Sequence, residues 1–426
     1  MKTVMTFLAI SFLLPAAAIA SAAPLPPRLE YSLPANLPPN IADDDILNAQ
    51  VDRSKEYEAL ISAPQKMVPA SNLPPEIFEK PSNNNVSIAY FNGRLYMAWR
   101  TGKTHFASAN VHMYVASSAD FGKTWIHENT IFMGSDMREP FLLSFKGRLV
   151  LTFFQAGRKA TAFEPKFMWR TEKLADGTWS PLRPWGRPGE IAWELKVRNG
   201  RAWMTSYMGA HYSGSGGVDV FFQTSDDGWN WKPVDPNHPV SYHGGVSEVA
   251  FDFDQAGNLW GVTRNEDGDD TGFGSHVAFA SAANVANWST PAKSNPNRYD
   301  SPRMLRHGKD LYLVARRDIG GPFDKGSRFL PQSLRKYVLW LKYWFRPKRT
   351  ALYKIDTEHH HVAHVMDLPG DGDTAFPSIL RLDADTFLVA NYTSPLNYPN
   401  RSWYKGQTSK QGTQIYFMML RFAALP

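Results

Sequence analysis

Residues able to do acid–base and anion-binding chemistry recur at the ends of apolar, hairpin-like segments. The carboxylates Glu139, Glu194, Glu248 and Asp373 lie where such segments open, and the phenol of Tyr392 lies where one closes. Around them stand Arg100, Arg138, Arg264, Arg303 and Arg316, with His105, His243 and Asp300. Taken singly, an arginine at such a place reads as a solvated loop charge. The same mixture at equivalent places of successive segments describes a polar pocket for an anionic or polyhydroxylated ligand. Guanidinium forks hold carboxylates and hydroxyls, and carboxyl groups move protons. Glu248 is the first choice as base or acid, because Arg264, His243 and Arg303 can tune it. Asp373 is the choice for its partner, with Tyr392 nearby and Glu194 as a further carboxylate.

A repeat must position these groups. SIAYFNGRLYMAWR, PFLLSFKGRLVLTFF, WELKVRNGRAWMTSY, EVAFDFDQAGNLWGVTR and PRMLRHGKDLYLVAR carry turn glycines at Gly93, Gly147, Gly200, Gly257 and Gly308, spaced by 54, 53, 57 and 51 residues. PSILRLDADTFLVANY is a sixth copy, with Asp383-Ala384-Asp385 at its turn. A second marker keeps the same period. Ser118 to Trp125 reads S-x-D-x-G-x-T-W, Thr224 to Trp231 is a variant, and Trp125, Trp179, Trp231 and Trp288 are spaced by 54, 52 and 57. Two registers with one period predict a unit of four short strands, which is a propeller blade. The fold class is therefore all-β, a six-bladed β-propeller over residues 83–426 with a short helical insert at 321–348 in the fifth blade. Asp120 and Asp226 are expected to hold turn amides on the outer rim, with the tryptophans packed between blades.

On these motifs the chain resembles the sialidase (neuraminidase) superfamily of six-bladed Asp-box propellers, as a divergent member. The resemblance implies an exo-acting glycosidase that holds a substrate carboxylate with arginines. It also implies a Tyr nucleophile paired with a Glu base, and an Asp acid, outside the usual two-carboxylate scheme. Glu248 through Arg264 matches the family's base and one of its arginines. Arg138-x-Pro140 resembles its R-I-P signature but lies in the second hairpin. His105 stands where the acid Asp is missing. Phe376 occupies the expected Tyr position, which leaves Tyr392 as the nearest phenol. The expected partner is a glycan, cleaved between an acid and a base or nucleophile. The alternative is a non-catalytic carbohydrate- or anion-binding propeller. A third reading, a metal-dependent hydrolase, would use His243, Asp300 and Asp270. The run His359-His360-His361 lacks the spacing of a metal motif. No metal and no other cofactor is expected.

The remaining features bound the setting. Residues 1–23 read as a cleaved signal peptide, with Lys2, an apolar Val4–Leu14 run and small-residue cleavage sites. The protein is accordingly expected in the periplasm or secreted, without a lipid anchor and as a monomer. The absence of cysteine excludes disulfides, thiolate metal sites and a cysteine nucleophile. A net charge of +6 over 426 residues is too mild for a nucleic-acid footprint. Residues 24–82 form a Pro-rich arm, with one helix expected after Asp43-Asp44-Asp45 and running from Ile46 to Ala59. In the insert, Leu334, Val338, Leu341 and Phe345 recur at helical spacing and are expected to face the propeller as strut or lid. Trp340, Tyr343, Trp344 and the basic flanks within 333–349 suit peripheral membrane contact instead.

Overall fold

The computed structural model describes residues 29–33, 37–39, 41, 43–210, 217–324, 330–397 and 400–426. Residues 1–23, where a signal peptide is expected, lie outside them. Each apolar repeat folds as the two inner strands of an antiparallel sheet. The hairpins close where the turn chemistry demands. Asn92-Gly93, Lys146-Gly147 and Asn199-Gly200 all have positive φ at both positions, the two-residue turn whose twist matches that of the strands.

Six sheets result. Blade one is Ser82–Phe91, Arg94–Gly102, His112–Ser118 and Ile126–Ile131; blade two is Met137–Phe145, Arg148–Gln155, Met168–Glu172 and Arg183–Trp185. Blade three is Ile191–Arg198, Arg201–Gly209 and Val218–Ser225, with Lys232–Pro233 and Val240–Gly244 both paired to its third strand. Blade four is Val246–Phe253, Leu259–Asn265 and Val277–Ala280; blade five is Asp300–His307, Asp310–Asp318, Lys348–Asp356 and His361–Asp371. Blade six is Ser378–Arg381, Thr386–Thr393 and Gln414–Ala424. Its outer positions are filled from the other end of the chain. Tyr57–Ile61 and Gln65–Val68 both pair with Gln414–Ala424, so strands from the Pro-rich arm complete the last blade. Inner strands of neighbouring blades pack in a closed ring, with blade six against blade one. The core lies between blades. Leu95, Met97, Trp99, Val220, Leu259, Leu388 and Phe417 are all fully buried there, each contributing roughly 1.5–3 kcal/mol by burial.

Helix α1 is Asp44–Ala49, capped by Asp43, whose carboxylate accepts from Asp45 N at 3.0 Å. The expected helix through Ala59 is therefore too long. Asp52 accepts from both Ser54 N and Ser54 Oγ, and this Asx turn ends helical propagation before Tyr57 enters its strand. Helix α2, Gln332–Phe345, lies in the connection between the second and third strands of blade five, and α3, Trp403–Thr408, packs beside it. Helix α2 is rotated relative to the strut expectation. Leu339 and Tyr343 are buried, whereas Leu334, Leu341 and Phe345 are exposed.

The rim turns hold themselves. Asp120 accepts from Thr124 N at 2.8 Å and from Thr124 Oγ1 at 2.7 Å, and Trp125 packs edge-on to Phe417 of blade six. In blade three the turn carboxylate is Asp227, not Asp226. Asp227 accepts from Trp229 N, Asn230 N and Ser225 Oγ, while Asp226 lies exposed beside Arg201 and Lys232. The Ser-x-Asp spacing of Ser118 and Asp120 recurs at Ser225 and Asp227, which decides the register.

Candidate functional site

Every innermost strand but the sixth carries a β-bulge near its start. At these bulges Asn85, Glu139 and Ser301 take positive φ, a strained conformation for residues other than glycine. A bulge re-aims side chains where a strand meets the axis. The result is one buried ionic network made from five blades and the insert.

The network begins in blade one. Arg100, fully buried, donates Nε to Asp136 Oδ1 at 2.7 Å, Nη1 to Thr104 O at 3.2 Å and Nη2 to Phe106 O at 3.1 Å. It therefore pins the loop that carries His105. Arg138 binds the other Asp136 oxygen at 2.6 Å and donates to His105 O at 2.6 Å. His105 Nδ1 lies 2.7 Å from Asp373 Oδ2, and Tyr392 Oη donates to Asp373 Oδ1 at 3.0 Å. Burial works against ionising Asp373, but His105, Arg316 and Tyr392 together hold its carboxyl below the usual range. Nδ1 of His105 is then the protonated nitrogen. Burial also pushes His105 down, which keeps it neutral, and pushes the Tyr392 phenol well up.

Blades four and five supply the other half. Arg316 donates to Thr374 O at 2.8 Å, to Tyr343 Oη of α2 at 2.5 Å and to Tyr392 Oη at 3.5 Å. Asp300 pairs with Arg298 at 2.6 Å and Arg264 at 3.5 Å. Arg264 also binds Glu248 and, at 2.8 Å, Glu266. Ser301 N donates to the second Glu248 oxygen at 3.0 Å. Burial first, and the Glu248 charge second, push the Glu139 carboxyl up. Glu248 is itself raised by burial, against the pull of Arg264. Arg303 feels Glu194, Glu139 and Glu248 together and stacks over Trp193 at 4.5 Å.

Four polar side chains at equivalent bulge positions are notable for what they lack. Glu139 Oε2, Ser247 Oγ, Ser301 Oγ and both amide atoms of Asn85 are buried without a hydrogen-bond partner among the described residues. Such orphans are rare in folded proteins, and here they recur around one axis.

The structure thus brings together Glu248, Asp373, Tyr392, Arg100, His105, Arg138, Glu139, Arg264, Asp300, Arg303 and Arg316. Glu194 joins through Arg303, but its oxygens accept from Phe251 N at 2.8 Å and Met304 N at 3.3 Å, so it ties three blades together. His243 does not join. It sits exposed on the extra strand of blade three and pairs with Asp219 at 2.7 Å, so it cannot tune Glu248. Asp300 is held by arginines, and among the described residues no group of three His, Asp or Glu is arranged for a metal ion. The sequence places Asp136 and Glu266 among the charges at the hairpin ends but does not single out Arg298 or the orphan serines. The serines have a signal in the period, since Asn85, Glu139, Ser247 and Ser301 take the same place in their bulges and are spaced by 54, 108 and 54 residues. Tyr343 reaches the network from the insert, which no repeat could reveal.

A cavity of about 480 Å³ lies along the axis toward the hairpin turns, lined by Glu194, Arg303, Leu142, Met304 and Ile379 among others. Its outer end is bordered by Ile41, Asp43 and Asp44. Asp44 is gripped by Arg381 at 2.8 Å, Arg306 at 3.0 Å and Arg198 at 3.3 Å.

The fold is a six-bladed β-propeller. It is similar to a protein of unknown function from Dyadobacter fermentans, at 16% identity and TM-score 0.53 over 80% of this chain and 95% of that one. It is also similar to the phage phi92 endosialidase, at 11% identity and TM-score 0.52 over 86% of this chain and 69% of that one. At these identities the likeness is one of fold. No family model matches the sequence, and no curated protein does.

Proposed function

We propose that the protein is an exported glycoside hydrolase acting at the axial network on a glycan that carries an anionic or hydroxyl-rich sugar. The observation that carries this reading is the pairing of Glu139 with Glu248. Two buried carboxyls, both raised first by burial, interact electrostatically beside arginines, and one of them has an oxygen without a partner. Glu139, kept protonated by burial and by its neighbour, is suited to give a proton to the leaving oxygen. Glu248, oriented by Arg264 and Ser301 N, is suited to act as base. Arg138, Arg303 and Arg316 supply the fixed positive field for an anionic substrate and for the charge that develops on reaction. His105, oriented through Nδ1 by Asp373, presents Nε2 as a second proton carrier. If Tyr392 attacks the sugar, its proton passes to Asp373 as the bond forms, because its phenol is not ionised beforehand.

A second reading, binding without catalysis, is favoured by how completely Arg100 is engaged by protein partners. One experiment separates the two. The purified protein is offered chromogenic and natural glycosides, sialosides included, with calorimetry on the free sugars. Turnover supports the hydrolase. Binding without turnover selects the second reading, and neither binding nor turnover overturns both.

A further inference from the structure

The outer face of α2 and α3 is unlike the rest of the surface. Leu334, Tyr337, Leu341, Trp344 and Phe345 of α2 are between 42% and 60% exposed, and Tyr404 of α3 is 40% exposed. The positions 334, 337, 341, 344 and 345 form one stripe at helical spacing. Trp344 stacks on Tyr404 at 6.3 Å with 7° between planes, and Phe345 packs on the same ring at 5.6 Å. The helix is thus apolar on two sides. Its inner side, Leu339 and Tyr343, is buried with Phe273 and Phe323 against the propeller, and its outer side stands largely exposed, with the Tyr404 ring of α3 beside Trp344 and Phe345.

The charge that α2 and α3 themselves carry has one sign. No Asp or Glu occurs between Asp324 and Asp356, and none follows Asp385. Arg335 and Lys336 reach down to Asp324 and Asp267 of the propeller. Lys342 on α2 and Lys405 on α3 flank the stripe, and Arg346, just past α2, pairs with Asp318 at 3.6 Å. We infer that this face docks on an anionic lipid bilayer. Aliphatic side chains with Trp and Tyr, bordered by cations, fit the boundary between acyl chains and headgroups. A second copy of the chain fits poorly, because a two-fold contact through this face would set cations against cations. A soluble glycan would stack on Trp344 and Tyr404 but has no use for Leu334, Leu341 and Phe345. The inner side of the same helix contacts the axial network through Tyr343 and through Trp340, which donates to Glu266 O at 3.1 Å. Docking would therefore set the network's roof on the membrane. The inference stands whether or not the network is catalytic.

The test is co-sedimentation of the full chain with phosphatidylcholine vesicles, with and without phosphatidylglycerol, at low and high salt. Binding is expected with phosphatidylglycerol at low salt and should weaken as salt screens the charges. Lys342→Glu and Lys405→Glu should each weaken it about fivefold. The double variant Leu341→Glu/Phe345→Glu should weaken it at least about tenfold, with little change in the melting profile because both side chains are more than half exposed. No binding at low salt, or equal binding by the double variant, overturns the inference. A wild-type dimer that the double variant converts to monomer, without vesicle binding, assigns the face to a second copy and also overturns it.

Discussion

Arg316, closing the second strand of blade five, donates Nη1 to the phenol of Tyr343 on helix α2 at 2.5 Å. This hydrogen bond joins the insert to the ionic network on the propeller axis, as does that of Trp340 to Glu266 O. Arg316 and Tyr343 are both buried, so the guanidinium has no water to turn to when the phenol is removed. Tyr343→Phe should lower stability by about 1–3 kcal/mol, the cost of a lost hydrogen bond to a buried charge. Urea unfolding checks this, and an unchanged midpoint would mean that Arg316 is satisfied without the helix.

The Glu139 carboxyl is raised in the folded state by burial and by Glu248. A raised pKa stabilises the fold below the ordinary glutamate range, and that contribution is lost as pH climbs through the raised value. Stability should therefore fall across that interval, by on the order of 1–2 kcal/mol. Glu139→Gln, which cannot ionise, should flatten the slope. Unfolding midpoints measured as a function of pH decide it.

The rim turn of blade three separates two adjacent carboxylates. Asp227 accepts from two turn amides, whereas Asp226 only faces Arg201 and Lys232 in solvent. Asp227→Ala should cost about 1 kcal/mol, and Asp226→Ala less than about 0.5 kcal/mol. Neither should change activity, because both lie on the rim.

These residues also show what the sequence could carry. The period of the glycine turns and rim tryptophans made the six blades legible, because every blade solves the same packing problem. It also placed Glu248 and Arg264 together, since the two ends of a hairpin meet. The helix expected through Ala59 failed because periodicity does not register an Asx turn at Asp52. The apolar stripe of α2 was legible as a helix, but its facing was not. Tyr343 and Leu339 point inward for reasons set by Arg316 and Phe273, far away in sequence. Completion of blade six by Tyr57–Ile61 and Gln65–Val68 was hidden for the same reason.

Asp44 borders the far end of the axial cavity inside a clamp of Arg198, Arg306 and Arg381. Burial opposes its ionisation, but the three arginines outweigh it and hold the carboxyl well below the usual aspartate range. The stabilisation is present above the ordinary aspartate pKa and is lost as pH falls toward the depressed one. Asp44→Asn should destabilise the protein by about 2–4 kcal/mol near neutrality, since Arg198 and Arg381 would stay buried with less compensation. The deficit should shrink in acid. Chemical denaturation at neutral and acid pH reads both effects.

The central claim is that Glu139 and Glu248 form the acid–base pair of a glycosidase. Its most direct test is kcat/KM for the wild type, Glu139→Gln and Glu248→Gln on a glycoside that the wild type hydrolyses, with unfolding curves confirming that each variant is folded. The account predicts that each substitution lowers kcat by about 10²–10⁴-fold, and that Glu139→Gln also removes the fall in rate at high pH. Folded variants with wild-type turnover and an unaltered pH profile would contradict it.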